Sequence, residues 1–187
     1  MERCAIFIDG GYLQKLLAEY SNLAINFQKL SNLLADGCQI LRTYYYNCAP
    51  FINPTQPTDE QRARHANMQR FFDKLQNLDR YDVRLGKLEY RGKDDKGKPI
   101  YVQKRVDILL GCDLVLLASK ARISKAVLFT GDSDFIPAVE IAKNEGVEIT
   151  ICYGEEKGFI PHNSLLKIAD ERKPISKKHL DNIAYTK

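Results

Sequence analysis

Val127-Leu128-Phe129-Thr130-Gly131-Asp132-Ser133-Asp134-Phe135-Ile136-Pro137 is the stretch that decides how this chain folds. An apolar run stops at Thr130-Gly131, two carboxylates follow one residue apart, and helical periodicity then begins. Phe135, Ala138, Val139 and Ala142 obey the i, i+3, i+4, i+7 spacing of an amphipathic helix, and Gly146 is a natural stop. Pro137 fits the first helical turn, where a missing N–H costs little. The two acids therefore stand at the carboxyl end of a buried strand, on the rim where open α/β sheets carry their sites. Asp134 has a competing structural role as the helix N-cap. A cap needs only one acid, so Asp132 beside it asks for a cation, a proton or a basic group.

A junction of the same design opens the chain. Cys4-Ala5-Ile6-Phe7-Ile8 reads as a buried strand that ends in Asp9-Gly10-Gly11, and Leu13, Leu16, Leu17 and Tyr20 then share a helical face. The glycines let the backbone turn tightly beside Asp9, which is either a site residue or a turn and cap residue. No G-x-G-x-x-G or P-loop pattern follows, which argues against a dinucleotide or nucleoside triphosphate site of those kinds.

Between the two junctions, Asn26 is placed to cap a helix with Phe27, Leu30 and Leu34 on one face. Gln39 to Tyr46 reads as a strand; alternation sends two of Tyr44, Tyr45 and Tyr46 to the core, with base stacking the competing use. A loop with Pro50, Pro54 and Pro57 precedes Thr58-Asp59-Glu60-Gln61, which resembles a capping box. The long helix it opens turns Met68, Phe71, Phe72 and Leu75 inward. Tyr81 to Tyr90 is an expected strand, 91–98 a turn, and Ile100 to Val102 the returning arm of a hairpin. Arg84, Lys87, Arg91, Lys93, Lys96, Lys98, Lys104 and Arg105 make this region basic, as solvated surface or as a phosphate contact.

Val106 to Leu117 then reads as an apolar helix with Asp107 and Asp113 embedded in it. Acids there are costly unless paired, metal-bound or at an open cleft, although Asp107 also suits the helix dipole. Val147 to Tyr153 is a further strand, Asn163 is expected to cap a last helix that leads to Asp170, and the basic stretch from Lys173 reads as peripheral.

The bulk numbers set broad limits. A chain of 187 residues with 44% hydrophobic and 28% charged residues is an ordinary globular domain, and a net charge of +4 permits a polyanionic partner without demanding one. Five scattered cysteines form no C-x-x-C pair and are expected to be reduced core residues in the cytoplasm. The three histidines lack triad or metal spacing. No signal peptide is expected before Ile6, and no apolar run approaches bilayer-spanning length.

Alternating strands and helices make the fold α/β with a mostly parallel sheet. If the strands at Cys4 and Ala126 are neighbours, Asp9, Asp132 and Asp134 share one rim, and Asp107 can join them from a helix above it. Four oxygen donors without organised His or Cys suit Mg²⁺ or Mn²⁺, ions used in phosphoryl chemistry.

Ile-Phe-Ile-Asp-Gly-Gly at 6–11, Gln-Lys-Arg-Val-Asp at 103–107 with Asp113 beyond, Thr-Gly-Asp-Ser-Asp-Phe at 130–135 and Ser-Leu-Leu-Lys-Ile-Ala-Asp at 164–170 resemble the NYN domain. The likeness is strongest to its LabA-like (DUF88) branch within the PIN-like nuclease superfamily. It implies a PIN-like three-layer α/β/α sandwich over residues 1–172, with a basic helix–hairpin segment at about 58–102 and a basic tail at 173–187. It further implies a Mg²⁺- or Mn²⁺-dependent ribonuclease in which Asp9, Asp107, Asp132 and Asp134 are catalytic and hold the metal. Asp113 and Asp170 would be secondary acids, and Gly10, Tyr12, Thr130, Ser133, Lys104 and Arg105 would contact substrate. RNA is the implied partner, with a homodimer possible. Many members carry Asn where this chain has Tyr12. A non-catalytic RNA- or protein-binding module on the same fold is the second expectation. A haloacid-dehalogenase-type phosphatase wants Asp-x-Asp after the first strand, and a Toprim-like centre a Glu there; Asp9-Gly10-Gly11 fits both less well.

Overall fold

The chain runs β1 (Arg3–Asp9), α1 (Gly10–Glu19), α2 (Phe27–Ala35), β2 (Gln39–Cys48), α3 (Asp59–Gln76), β3 (Tyr81–Lys93), β4 (Pro99–Lys104), α4 (Val106–Ser119) and β5 (Lys125–Phe129). A 3-10 turn (Ser133–Phe135) then leads to α5 (Ile136–Asn144), β6 (Glu148–Gly154), α6 (Asn163–Ile168), β7 (Glu171–Ile175) and α7 (Lys177–Asn182). These bounds come from a computed structural model that describes residues 2–185. The strands form one seven-stranded sheet in the order β4-β3-β2-β1-β5-β6-β7. Every neighbouring pair is parallel except the β3–β4 hairpin.

Both faces of the sheet are covered, which explains why its central strands read as unbroken apolar runs. On one face Ala5, Phe7, Ala126, Leu128 and Ile151 pack with Leu110, Leu114, Val139 and Leu165 from α4, α5 and α6. On the other, Ile6, Ile8, Val127, Phe129 and Cys152 pack with Leu13, Leu30, Phe72 and Leu180 from α1, α2, α3 and α7. The architecture is a three-layer α/β/α sandwich. Among the described residues, no helix is long and apolar enough to cross a membrane.

Local signals held in several places. Asn26 caps α2, Thr58 and Gln61 form the reciprocal capping box of α3, and Pro137 lies in the first turn of α5. Three readings change. All three tyrosines of 44–46 are buried: Tyr44 and Tyr46 stack on Phe7 at 5.6 and 6.5 Å on one face, and Tyr45 fills the other, so none is free to stack on a base. His162, not Asn163, caps α6, its ring accepting the Ser164 N–H. The stretch from Lys173, expected as a peripheral tail, supplies most of β7 and all of α7, with Ile175 and Leu180 wholly buried. Pro174 is tolerated because β7 is an edge strand.

The hairpin departs from the sheet in a way that matters for the site. Tyr81 to Gly86 of β3 pair with β2, but from Lys87 onward β3 pairs only with β4. Its outer half therefore runs roughly 20 Å beyond the carboxyl ends of the parallel strands.

Candidate active site

From β1 the chain first builds one side of the sheet with β2, β3 and β4, then crosses to build the other side with β5, β6 and β7. The carboxyl ends of β1 and β5, paired through Ile8 and Phe129, flank the resulting switch point. Sheets of this kind bind ligands in that crevice. Asp9 ends β1 there, and its carboxylate accepts the Tyr12 N–H at 3.0 Å, capping α1. Thr130, just past β5, donates its hydroxyl to Asp9 Oδ2 at 3.4 Å and accepts the Asp132 N–H at 3.1 Å. Asp132 in turn accepts the Asp134 N–H at 2.9 Å. The N-cap after β5 is thus Asp132 rather than Asp134, and Asp134 is left exposed in the 3-10 turn. Asp107, also exposed, stands in the first turn of α4.

Two of these acids are shifted by burial and by their neighbours. Burial raises the Asp9 carboxyl above its ordinary value; the Tyr12 and Gly11 N–H groups oppose the rise, while Asp107 and Asp132 add to it. Asp107 is raised as well, by partial desolvation and then by Asp132 and Asp134. Among the described residues none of the four enters a salt bridge, although eleven ion pairs form elsewhere. In kind, carboxylates beside a hydroxyl fit a hard divalent cation. They are not a ready-made cage: among the described residues, no group of three or more His, Cys, Asp or Glu side chains is arranged to hold a metal ion.

The other expected site residues divide into two sets. Lys104 and Arg105 are exposed and separated from Asp107 by Val106, and Ser133 opens the 3-10 turn between Asp132 and Asp134. The rest are engaged internally. Thr130 is fully buried with its hydroxyl used as above. Gly10 is a close-approach position, since a Cβ there would sit 2.5 Å from the Tyr45 ring and 2.7 Å from the Tyr46 carbonyl oxygen. The Tyr12 hydroxyl donates to the Phe159 carbonyl at 2.5 Å and accepts the Gly154 N–H at 2.9 Å, and its ring meets Phe129 and Phe159 edge-on. Tyr12 thereby fastens the loop after β6 to the rim, a role the sequence did not signal. Asp113 is held at 2.9 Å by the Tyr46 hydroxyl and at 3.2 Å by Arg84, six residues (about 9 Å) along α4 from Asp107. Asp170 precedes β7 at the amino end of the sheet, where it accepts the Ile149 N–H and pairs with Lys143 at 2.6 Å. It is therefore about 13 Å along the strands from the rim, and the structure does not bring it to the other acids.

A mostly parallel sheet covered on both faces, with acids at its switch point, is an open α/β sandwich of the PIN-like kind. The chain belongs to the NYN domain family, which it matches over residues 3–171, and NYN domains are generally nucleases that act on RNA. It is 36% identical over 75 residues, 40% of its length, to an uncharacterized protein of Sinorhizobium fredii, and spans 31% of that relative's length. A crystal structure of a protein of unknown function from Vibrio parahaemolyticus has the same fold, with a TM-score of 0.64, 18% identity, and 98% and 96% of the two chains covered.

Proposed function

We propose that the chain is a Mg²⁺- or Mn²⁺-dependent ribonuclease of the LabA-like (DUF88) branch, hydrolysing RNA phosphodiester bonds at the rim formed by Asp9, Asp107, Asp132 and Asp134. The observation that carries the reading is a set of four carboxylates from three separate elements without a basic partner among the described residues, of which Asp9 and Asp107 are raised by burial and then by their acidic neighbours. Structural acids in this chain look different: Asp113 and Asp170 each have a cation in contact. The unpaired four would hold the divalent ion, with few direct ligands, because magnesium is commonly held by one or two carboxylates and keeps several waters. When bound, such an ion polarises the attacked phosphate and lowers the pKa of water.

The chain's own groups have distinct tasks in this reading. The Tyr12 N–H and Thr130 hydroxyl orient Asp9. The Thr130 hydroxyl, which also accepts the Asp132 N–H, fixes Asp132 relative to Asp9, and Asp132 in turn fixes Asp134. Lys104 and Arg105 offset the repulsion between the acids and an incoming polyanion. The cytoplasm is the proposed setting, supported by five free cysteines of which three are buried. The single chain gives no support to the homodimer.

A non-catalytic RNA- or protein-binding regulatory module on the same fold is the second reading, favoured by the acids not converging into a cage among the described residues. One experiment separates the two: cleavage of labelled RNA with Mn²⁺ or Mg²⁺ by wild type and by Asp132→Asn purified identically. Asn retains a side-chain oxygen able to accept the Asp134 N–H, so the fold is expected to survive. Cleavage by the wild type alone is the expected result. Equal cleavage by both would remove Asp132 from the site, and cleavage by neither would favour the binding module.

A further inference from the structure

Three aromatic rings, two on the outer hairpin and one beside it, belong to neither buried core. Phe51, in the loop after β2, lies 5.1 Å from Tyr101 and 6.0 Å from Tyr90, centroid to centroid, and the two tyrosines are 5.9 Å apart. Tyr90 and Tyr101 are directly opposed in the β3–β4 ladder, so both rings emerge on one face. They remain 46% and 38% exposed. An open cavity of about 980 Å³ lies beside them, and Lys87 and Lys93 also line it.

The charge of this arm fits an anion. Between residues 87 and 105 the sequence has seven basic residues and three acids, a surplus equal to the +4 of the whole chain. Of the acids, Glu89 is already engaged by Arg91 at 2.9 Å. The second strand of the arm ends at Lys104 and leads through Arg105 and Val106 to Asp107 in the first turn of α4, so the arm is joined to the rim by only a few residues.

We infer that the hairpin is a stacking arm for single-stranded RNA, seating an unpaired base on Tyr90 and Tyr101 while its lysines follow the phosphates toward the rim. The inference takes its substrate class from the ribonuclease reading. Ring faces stack on any exposed base, whereas bases within a duplex are already stacked on one another. The edge of β4 could instead pair with a second copy. Like charges on the two arms would oppose that pairing, so the strand of RNA is the better occupant.

The test is fluorescence anisotropy on the Asp132→Asn chain, which keeps the RNA intact, with a labelled 12-nucleotide oligouridylate and a 12-base-pair RNA duplex as probes. Tyr90→Ala/Tyr101→Ala is expected to weaken single-strand binding at least about fivefold. Tyr90→Phe/Tyr101→Phe should restore it, and its urea midpoint controls for folding. Lys93→Ala/Lys98→Ala should instead reduce the salt dependence. Unchanged single-strand affinity in the alanine pair, or equal wild-type affinity for the duplex, would overturn the arm. So would a wild-type dimer in sedimentation that the alanine pair dissolves. Failure of the nuclease reading is separable: ring-dependent binding by a wild type that cleaves nothing keeps the arm and rejects the enzyme. Asp132-dependent cleavage with KM unchanged in the alanine pair does the reverse.

Discussion

Tyr12→Phe tests whether the residue standing where the NYN pattern often has Asn is a fastening rather than a substrate contact. The substitution keeps the ring against Phe129 and Phe159, at 5.5 and 5.7 Å, and removes only the hydroxyl. That oxygen donates to the Phe159 carbonyl and accepts the Gly154 N–H. Burial pushes the phenol up to about 12, so the donor is present throughout the neutral range. Each hydrogen bond contributes about 0.5–1.5 kcal/mol net, and stranding a buried partner costs more. Tyr12 is half-buried, so water recovers part of the loss, and the expected destabilisation is about 1–3 kcal/mol. For a domain of this size that lowers Tm by roughly 3–10 °C. Urea unfolding gives the energy, and amide exchange at Gly154 to Phe159 locates it, with faster exchange expected in that loop. The KM for RNA should move little. A loss below about 0.5 kcal/mol with unchanged exchange would refute the fastening, the hydrogen-bond range being what sets that threshold. A raised KM at full stability would return Tyr12 to the substrate site.

Three further outcomes follow from the rim and its surroundings. Asp107→Asn in metal-free protein is expected to raise the urea midpoint at pH 7. Its carboxyl is raised on folding, so it favours the fold below its unfolded pKa, loses that contribution as pH rises through the folded value, and is a net cost at neutrality. The helix dipole works against this gain, and a gain undiminished at pH 3 would show that charge is not its source. Asp170→Ala should cost about 1–2 kcal/mol by urea unfolding and leave RNA cleavage intact. Burial acts to raise this carboxyl, but Lys143 and the Ile149 N–H outweigh it and hold it below its ordinary value, so its contribution is present above the unfolded pKa and fades as pH falls through the folded one. Gly10→Ala should destabilise by about 3 kcal/mol, since the backbone carbonyl of Tyr46 is among the atoms in its way; a fully stable variant in thermal melts would mean that the β1–α1 corner yields.

How much of this was legible in the sequence depended on whether a residue's role was local. Asp9 and Asp132 each follow an apolar run and precede helical spacing, so their place on the rim could be read without tertiary information; β1 and β5 are indeed neighbours. The caps Asn26 and Thr58 and the hairpin turn could be read for the same reason, whereas His162 and Asp132 take the place of the expected caps Asn163 and Asp134. What a side chain meets across the sheet could not. Nothing near Asp113 in sequence announces Arg84, because a strand and a helix twenty-nine residues apart supply the two charges. Nor does Tyr12 announce a partner in the loop after β6, 147 residues away. The exposure of the tyrosines depends on the same tertiary information. The Tyr44 to Tyr46 run drew attention by being consecutive, yet its strand is covered by helices on both faces, whereas Tyr90 and Tyr101 lie where the hairpin has left the sheet.

Asp170 shows the cost of missing one strand. Glu171 to Ile175 contains Arg, Lys and Pro, a composition that reads as tail, and it forms a strand only because it is an edge paired on one side to β6. With no strand after it, an acid at the end of α6 has no address and joins the other acids by analogy. With β7 in place the address follows from chain direction alone. In a parallel sheet an acid just after a strand lies at the carboxyl rim, and one just before a strand lies at the amino rim. Asp9 ends β1 and Asp132 follows β5; Asp170 precedes β7 and meets the start of β6. The same rule separates the two settings: at the amino rim the acid has Lys143 as its partner, whereas at the carboxyl rim burial and neighbouring acids raise the carboxyls of Asp9 and Asp107, a cost that a proton or a divalent cation would offset.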